Sequence, residues 1–188
     1  VNKAINPISK KTDQKGIIQL LDKPETLLGI TIGDVAGHGV SSALVMALTS
    51  GILNRIGFNN KSPALILKRA NSDIQKFISH SHISHVTAFY SIINLDNLTL
   101  KYSSAGHPPG ILIRKDLSHQ LLATNGVFLG MFPNEDYDEE SIQLAVGDRL
   151  ILFTDGIIET MNTQKETYGI DKLIELALNN TKKSAADF

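Results

Sequence analysis

Two aspartates, each at the end of an apolar run, are the residues best placed to do chemistry. In Ile32-Gly33-Asp34-Val35-Ala36-Gly37-His38-Gly39, Asp34 stands where a buried strand would end, ahead of a glycine-rich turn that opens a helical pattern. Strand ends place groups accurately, and glycines permit positive φ and close backbone approach. Asp34 with adjacent exposed carbonyls would therefore offer the hard oxygens that Mg2+ or Mn2+ prefer. The same residues also suit a tight strand-to-helix turn in which Asp34 caps the helix. Asp155 has a similar setting, since Leu150-Ile151-Leu152-Phe153 runs into Thr154-Asp155-Gly156, and it is either a turn residue or a second ligand. A third feature is Ser103-Ser104-Ala105-Gly106-His107-Pro108-Pro109, where a strand stops at a bend. His107 could orient a phosphate or shuttle a proton, or it could be held by hydrogen bonds inside a rigid turn.

Other chemistries lack their signals. The chain has no cysteine, which removes disulfides, thiolate zinc sites and a cysteine nucleophile. His80, His82 and His85 have neither cysteine nor a carboxylate beside them and read as a solvated connection rather than a zinc site. No P-loop, no Gly-x-Gly-x-x-Gly and no Gly-x-Ser-x-Gly elbow occurs. Lys and Arg total 18 against 19 for Asp and Glu, so the net charge of -1 offers no general attraction to nucleic acid or anionic lipid. No uncharged apolar run approaches the ~20 residues that span a bilayer, and Val1 to Pro7 lacks the apolar core of a signal peptide, so direct membrane insertion is not expected and the chain reads as cytoplasmic.

The elements that must position these residues follow from periodicity. Gly16 to Leu21 and Leu27 to Ile32 flank Asp22-Lys23-Pro24-Glu25-Thr26 as a β-hairpin. Val40, Leu44, Leu48 and Ile52, with Val45 alongside, predict a well-buried helix over about 40 to 54. Ser62 as N-cap and Pro63 in the first turn start a second helix that ends near His80. Val86 to Asn94 and Leu98 to Ala105 form a second hairpin, with Gly110 to Arg114 continuing the meander. Glu140 to Leu144 and Arg149 to Thr154 read as a third hairpin, and Ile170 to Leu178 as a helix. Tight turns make antiparallel sheets, and the two long helices come consecutively between strands, so the class is α+β rather than a Rossmann-type sheet.

Four blocks, in order, resemble a known family: Gly33-Asp34-Val35-Ala36-Gly37-His38-Gly39-Val40, Ser104-Ala105-Gly106-His107-Pro108-Pro109, Leu129-Gly130-Met131-Phe132, and Gly147-Asp148-Arg149 through Thr154-Asp155-Gly156. Together they are similar to the bacterial metal-dependent Ser/Thr protein phosphatases of the protein phosphatase 2C type, in the SpoIIE-like, RsbU-like branch, from about Pro7 to the end. The resemblance implies a four-layer α-β-β-α sandwich, two central antiparallel sheets flanked by helices, with two Mn2+ or Mg2+ ions at one end. It implies that Asp34 bridges both ions, that the Val35 carbonyl ligates one, that Asp155 holds the other, and that Asp13 contacts a metal directly or through water.

Such a site has a physical logic. A phosphomonoester is already anionic, so the attacking water must be made a better nucleophile while added charge is neutralised; two divalent ions do both, and no protein nucleophile is required. Three carboxylates against two divalent ions leave a positive centre. The chain departs from the family pattern in three places. Lys11-Thr12 stands for Gly-Gly before Asp13, with Gly16 at the second acidic position of that motif. Ser104 stands where Asn is usual, and the closing Asp-Asp-x-Thr strand has no counterpart before Phe188. The start at Val1 and the missing strand suggest a single phosphatase-like domain, 1–188, cut from a longer multidomain regulator. The expected substrate is a phosphorylated regulatory protein of the anti-sigma-factor-antagonist type, in bacterial stress or developmental signalling. Control by an upstream sensor or receiver domain in the same chain is expected, nucleic acid is not, and a second copy of the chain is a candidate partner. The alternative is a degenerate phosphatase domain that binds a partner or relays a signal without turnover.

Overall fold

The computed structural model describes residues 25–58, 60–78 and 85–188. The chain runs β1 (Leu27–Val35), α1 (Val40–Gly57), α2 (Pro63–Ile78), β2 (Val86–Asn94), β3 (Thr99–Ala105), β4 (Gly110–Ile113), β5 (His119–Leu122), β6 (Glu140–Gln143), β7 (Arg149–Ile151), α3 (Asp155–Ile158) and α4 (Gly169–Asn179). The strands form an antiparallel four-stranded sheet, β1-β2-β3-β6, and an antiparallel three-stranded sheet, β5-β4-β7.

Strand alternation sorts the side chains into layers. On β2, Val86, Ala88, Tyr90 and Ile92 turn to one face and pack with Ile52, Leu53 and Ile56 of α1 and Ile66, Leu67, Ala70 and Ile74 of α2. Phe89 and Ile93 turn to the other face and meet Leu112 of β4 and Leu122 of β5, with Leu100 and Tyr102 of β3. On β4, Ile111 and Ile113 turn outward to Leu173, Ile174 and Ala177 of α4. The result is helices, sheet, sheet, helix, the four-layer α+β sandwich expected. Each fully buried Ile or Leu contributes roughly 2 kcal/mol relative to exposure, so these three apolar layers dominate stability. Ser62 caps α2 as expected, its Oγ accepting the Leu65 N–H at 3.2 Å.

Four expectations need correction. β4 does not continue the meander: at Gly106 (φ +64°) and Pro108-Pro109 the chain leaves the first sheet, and β4 joins the second. A bend followed by two residues without N–H groups cannot extend a ladder. Segments 140–144 and 149–154 are not a hairpin, because β6 pairs with β3 and β7 with β4. Asp148 explains the crossing: its carboxylate accepts the Ala145 N–H at 2.9 Å and the Arg114 guanidinium at 2.6 Å, tying the turn to the end of β4. β5 was not foreseen; it is only four residues long and mostly exposed, with only Leu122 buried. Finally, α1 is buried only from Val45 onward, with Val45, Thr49, Ile52, Leu53 and Ile56 inside. Val40 is 77% and Leu44 66% exposed. By length and composition α1 is apolar enough to cross a membrane, and its packing on the sheet accounts for that character only from Val45 onward. The strand expected at Gly16 to Leu21 lies outside the described residues, as do His80 and His82.

Gly33 is required by its neighbour across the ladder. A Cβ there would lie 2.6 Å from the Thr87 carbonyl oxygen, a backbone atom that cannot swing aside. Gly33→Ala is expected to cost about 2 kcal/mol in urea denaturation, through displacement of β1 from β2.

Candidate metal centre

The hydrogen-bond phase of β1 decides what its end presents. The Leu95 N–H bonds the Thr26 carbonyl at 2.8 Å, and the Ala36 N–H bonds the His85 carbonyl at 3.2 Å. Even-numbered residues of β1 therefore bond β2, and the N–H and C=O of Val35 point to the opposite edge. The Val35 N–H is taken by Asp34 Oδ1 at 2.8 Å, which leaves the carbonyl of the same residue facing outward beside the Asp34 carboxylate. The side chain of Val35 points into the helix layer, whereas Ile32 and Asp34 face the layer between the sheets. At the end of that layer Asp34 reaches solvent. Gly37 (φ +102°) and Gly39 (φ +86°) then turn the chain into α1. The N-cap of α1 is Gly39, with no side-chain cap, so Asp34 does not cap this helix.

Asp155 approaches from the second sheet. β7 ends at Ile151, shorter than expected, and Asp155 is the first residue of α3. It is half-buried, and no described residue donates to its carboxylate or pairs with it.

His107 connects the two. It lies in the passage from β3 to β4 and is 7% exposed. Its Nε2 is 3.1 Å from the Phe153 carbonyl, which can only accept, so Nε2 carries the proton. Nδ1 then accepts from the Thr87 hydroxyl at 2.9 Å, and that hydroxyl in turn accepts the Asp34 N–H at 3.1 Å. The backbone of His107 is held as well: Ser104 Oγ accepts its N–H at 3.2 Å and donates to its carbonyl at 3.1 Å. The side-chain hydrogen bonding that Ser104 shares with the family's usual Asn is thus in use. Burial lowers the His107 pKa from 6.5, and this outweighs the opposing influence of the Phe153 carbonyl, Asp155 and Asp34. The imidazole is neutral, with both nitrogens engaged, so it is a brace rather than a proton carrier.

Asp34, Val35 and Asp155 are thus brought to one end of the sandwich, while Asp13 lies outside the described residues. Among the described residues no group of three or more His, Asp or Glu side chains could hold a metal. What stands here is a pair of carboxylates and a carbonyl without a neighbouring cation. Hard oxygens with uncompensated negative charge are the donor set a divalent ion fits. Thr87 was missed by sequence reasoning, although its place opposite Asp34 follows from the pairing of two strands that were recognised.

Thr87→Val keeps the volume and leaves the buried Nδ1 without its donor; a loss of roughly 1–3 kcal/mol is expected in urea denaturation. The lowered His107 pKa also gives a pH signature. The unfolded chain binds this proton more readily, so the stabilisation is complete above pH 6.5 and is lost as pH falls through the depressed folded value. That acid-side decline should be smaller in His107→Gln, as followed by urea midpoints between pH 8 and 5.

The family model for Stage II sporulation protein E (SpoIIE) matches residues 24–188. The phosphoserine phosphatase RsbU of Bacillus subtilis (strain 168) is 32% identical over 156 residues, 81% of this chain and 46% of the relative, so the chain spans about half that protein's length. The solved RsbU and RsbW domains of a Mycobacterium tuberculosis protein superpose with a TM-score of 0.70 at 25% identity, over 82% of this chain and 43% of that one. The PP2C phosphatase domain of SpoIIE from Bacillus subtilis, with a fragment of its regulatory domain, gives 0.60 at 21% identity, over 82% of this chain and 50% of that one. With the family model spanning residues 24–188 and the four-layer frame shared with these structures, the chain belongs to the SpoIIE family of phosphatase domains of the protein phosphatase 2C type.

Proposed function

We propose that this domain hydrolyses phosphoserine or phosphothreonine on a regulatory protein, using two Mn2+ or Mg2+ ions. The observation that carries this reading is the pair Asp34 and Asp155, delivered from different sheets to one end of the fold and braced there by His107. Asp34 would bridge the ions, the Val35 carbonyl would ligate one and Asp155 the other, with Asp13 contacting one of them directly or through water. Bound divalent ions supply a more acidic water and neutralise the charge that builds on the phosphoryl group. The chain's own residues hold the donors: the Val35 N–H fixes one oxygen of Asp34 and leaves the other free, and the Thr87 hydroxyl anchors the Asp34 backbone. The similarity to RsbU, named a phosphoserine phosphatase, supports the activity. On this reading the substrate is a phosphorylated anti-sigma-factor antagonist, and control comes from a sensor or receiver domain elsewhere in the same cytoplasmic protein.

One observation favours a second reading. Among the described residues no group of three or more His, Asp or Glu side chains could hold a metal, which suits a degenerate domain that binds a partner without turnover.

Release of phosphate from a generic phosphomonoester, with and without Mn2+, separates the two. Asp34→Asn should leave the circular dichroism spectrum unchanged and remove Mn2+-stimulated release by at least about 100-fold, since the bridging charge is lost. Equal Mn2+-stimulated rates in wild type and variant would refute the mechanism, and no rate in either would favour the binding module.

A further inference from the structure

The segment from Gly130 to Glu139 runs along α2 in the opposite direction and is tied to it at successive heights. At one end Gly130, with φ +82°, lies on Ile74 and Ile78, and a Cβ there would come within 2.1 Å of Ile78. At the other end Glu139 accepts from Ser62 Oγ at 2.6 Å and from the Ala64 N–H at 3.2 Å. Between them Lys68 pairs with Asp136, an exposed contact worth little. The tie at Asn71 is different in kind. Asn71 is fully buried on the apolar face of α2, its Oδ1 accepting the Gly130 N–H at 2.7 Å and its Nδ2 donating to the Phe132 carbonyl at 2.9 Å. One side chain thereby supplies both an acceptor and a donor to a backbone, as a neighbouring strand would. An amide in an apolar layer costs several kcal/mol of desolvation unless both its ends are bonded, and here both are.

The residue next to this clamp leads to the candidate metal centre. Leu129, also fully buried, exchanges both backbone hydrogen bonds with Val86, at 2.8 and 3.0 Å. Val86 stands opposite Val35 at the end of β1. The path from Asn71 to the Val35 carbonyl therefore consists of the Gly130 peptide, the Leu129–Val86 pair and the Val86–Val35 pair, with directional bonds at its first two steps.

We propose that Asn71 is a positioning residue for the metal centre: by fixing Gly130 and Phe132 it fixes Leu129, and through Val86 it fixes the end of β1 that carries Asp34 and the Val35 carbonyl. This rests on the metal-binding part of the function proposed above.

The test is titration of the full chain with Mn2+, reading free Mn2+ by electron paramagnetic resonance well below each variant's melting temperature. Asn71→Leu keeps the branched heavy-atom shape, though with larger methyl groups, and removes both bonds, and Asn71→Ser, too short to span both partners, serves should the first fail to fold. Leu67→Ala is the control, a fully buried α2 residue that destabilises the same helix by a cavity while both Asn71 hydrogen bonds remain available. The expected result is a Mn2+ dissociation constant raised tenfold or more in the Asn71 variants and close to wild type in Leu67→Ala. Unchanged affinity in the Asn71 variants, or an equal loss in Leu67→Ala, would overturn the proposal by making Asn71 merely structural. Wild type that binds no Mn2+ overturns both this and the proposed function. Wild type that binds Mn2+ yet releases no phosphate removes the activity alone and leaves the comparison of affinities to decide.

Discussion

His107 sits where the chain passes from one sheet to the other, and each nitrogen of its ring bonds a different sheet, Nδ1 to Thr87 on β2 and Nε2 to the Phe153 carbonyl beyond β7. The apolar layer between the sheets, built on Phe89, Tyr102, Leu112 and Leu122, is strong but not directional, since dispersion and the hydrophobic effect fix area and density rather than a particular offset. Hydrogen bonds are directional, and in a buried setting an unmade one is costly. A neutral imidazole with an opposite demand at each nitrogen thus converts two loosely registered sheets into a fixed separation at the end where Asp34 and Asp155 emerge. Neither carboxylate forms an ion pair among the described residues.

The second layer of support comes from α2. Its apolar face is continuous with the core, and Ala64, Lys68 and Asn71 all bond one segment, Gly130 to Glu139, while Arg69 and Asp73 bond Asn60 and Arg55 on the other side. Leu129 then extends the ladder of the first sheet at Val86, beyond the point where β3 turns away at Gly106. The place that the meander vacates when β4 leaves for the second sheet is filled by a segment that α2 holds.

What the sequence made legible follows from the range of the signals. The 3.6-residue and two-residue periods are local, so α2, α4, β2 and β3 were recoverable within a residue or two, and the two aspartates could be placed at strand ends by the apolar runs before them. Pairing is not local. Whether Ala145-Val146-Gly147-Asp148 closes a hairpin or crosses between sheets depends on Arg114, distant in sequence, reaching Asp148. The same limit hid Thr87, which reads as an ordinary strand threonine until the register places it opposite Asp34. For α1 the period was right and the inference from it too broad, since apolarity at four-residue spacing says which face could be buried and not how much sheet lies beneath it. The role of His107 was open between a brace and a proton carrier because only the burial of the ring and its two partners distinguish them. Asp13 depends on residues outside those described.

The half-packed state of α1 bears on how the site is held. The helix starts after two glycines with positive φ, without a side-chain cap, and its first turns project Val40 and Leu44 into solvent. Neither of those side chains is buried against β1. If α1 set the position of Asp34 and Val35, its start would have to be anchored, and the core holds the helix only from Val45 onward, through Val45, Ile52, Leu53 and Ile56. The end of β1 must therefore be fixed from across the ladder, where Thr87 bonds the Asp34 backbone and Val86, backed by Leu129, stands against Val35. Both constraints converge on β2: one comes from His107 and the second sheet, the other from Asn71 and α2. The glycines between Val35 and Val40 separate these constraints from α1, so the strand end can keep its geometry whatever the first turns of that helix do.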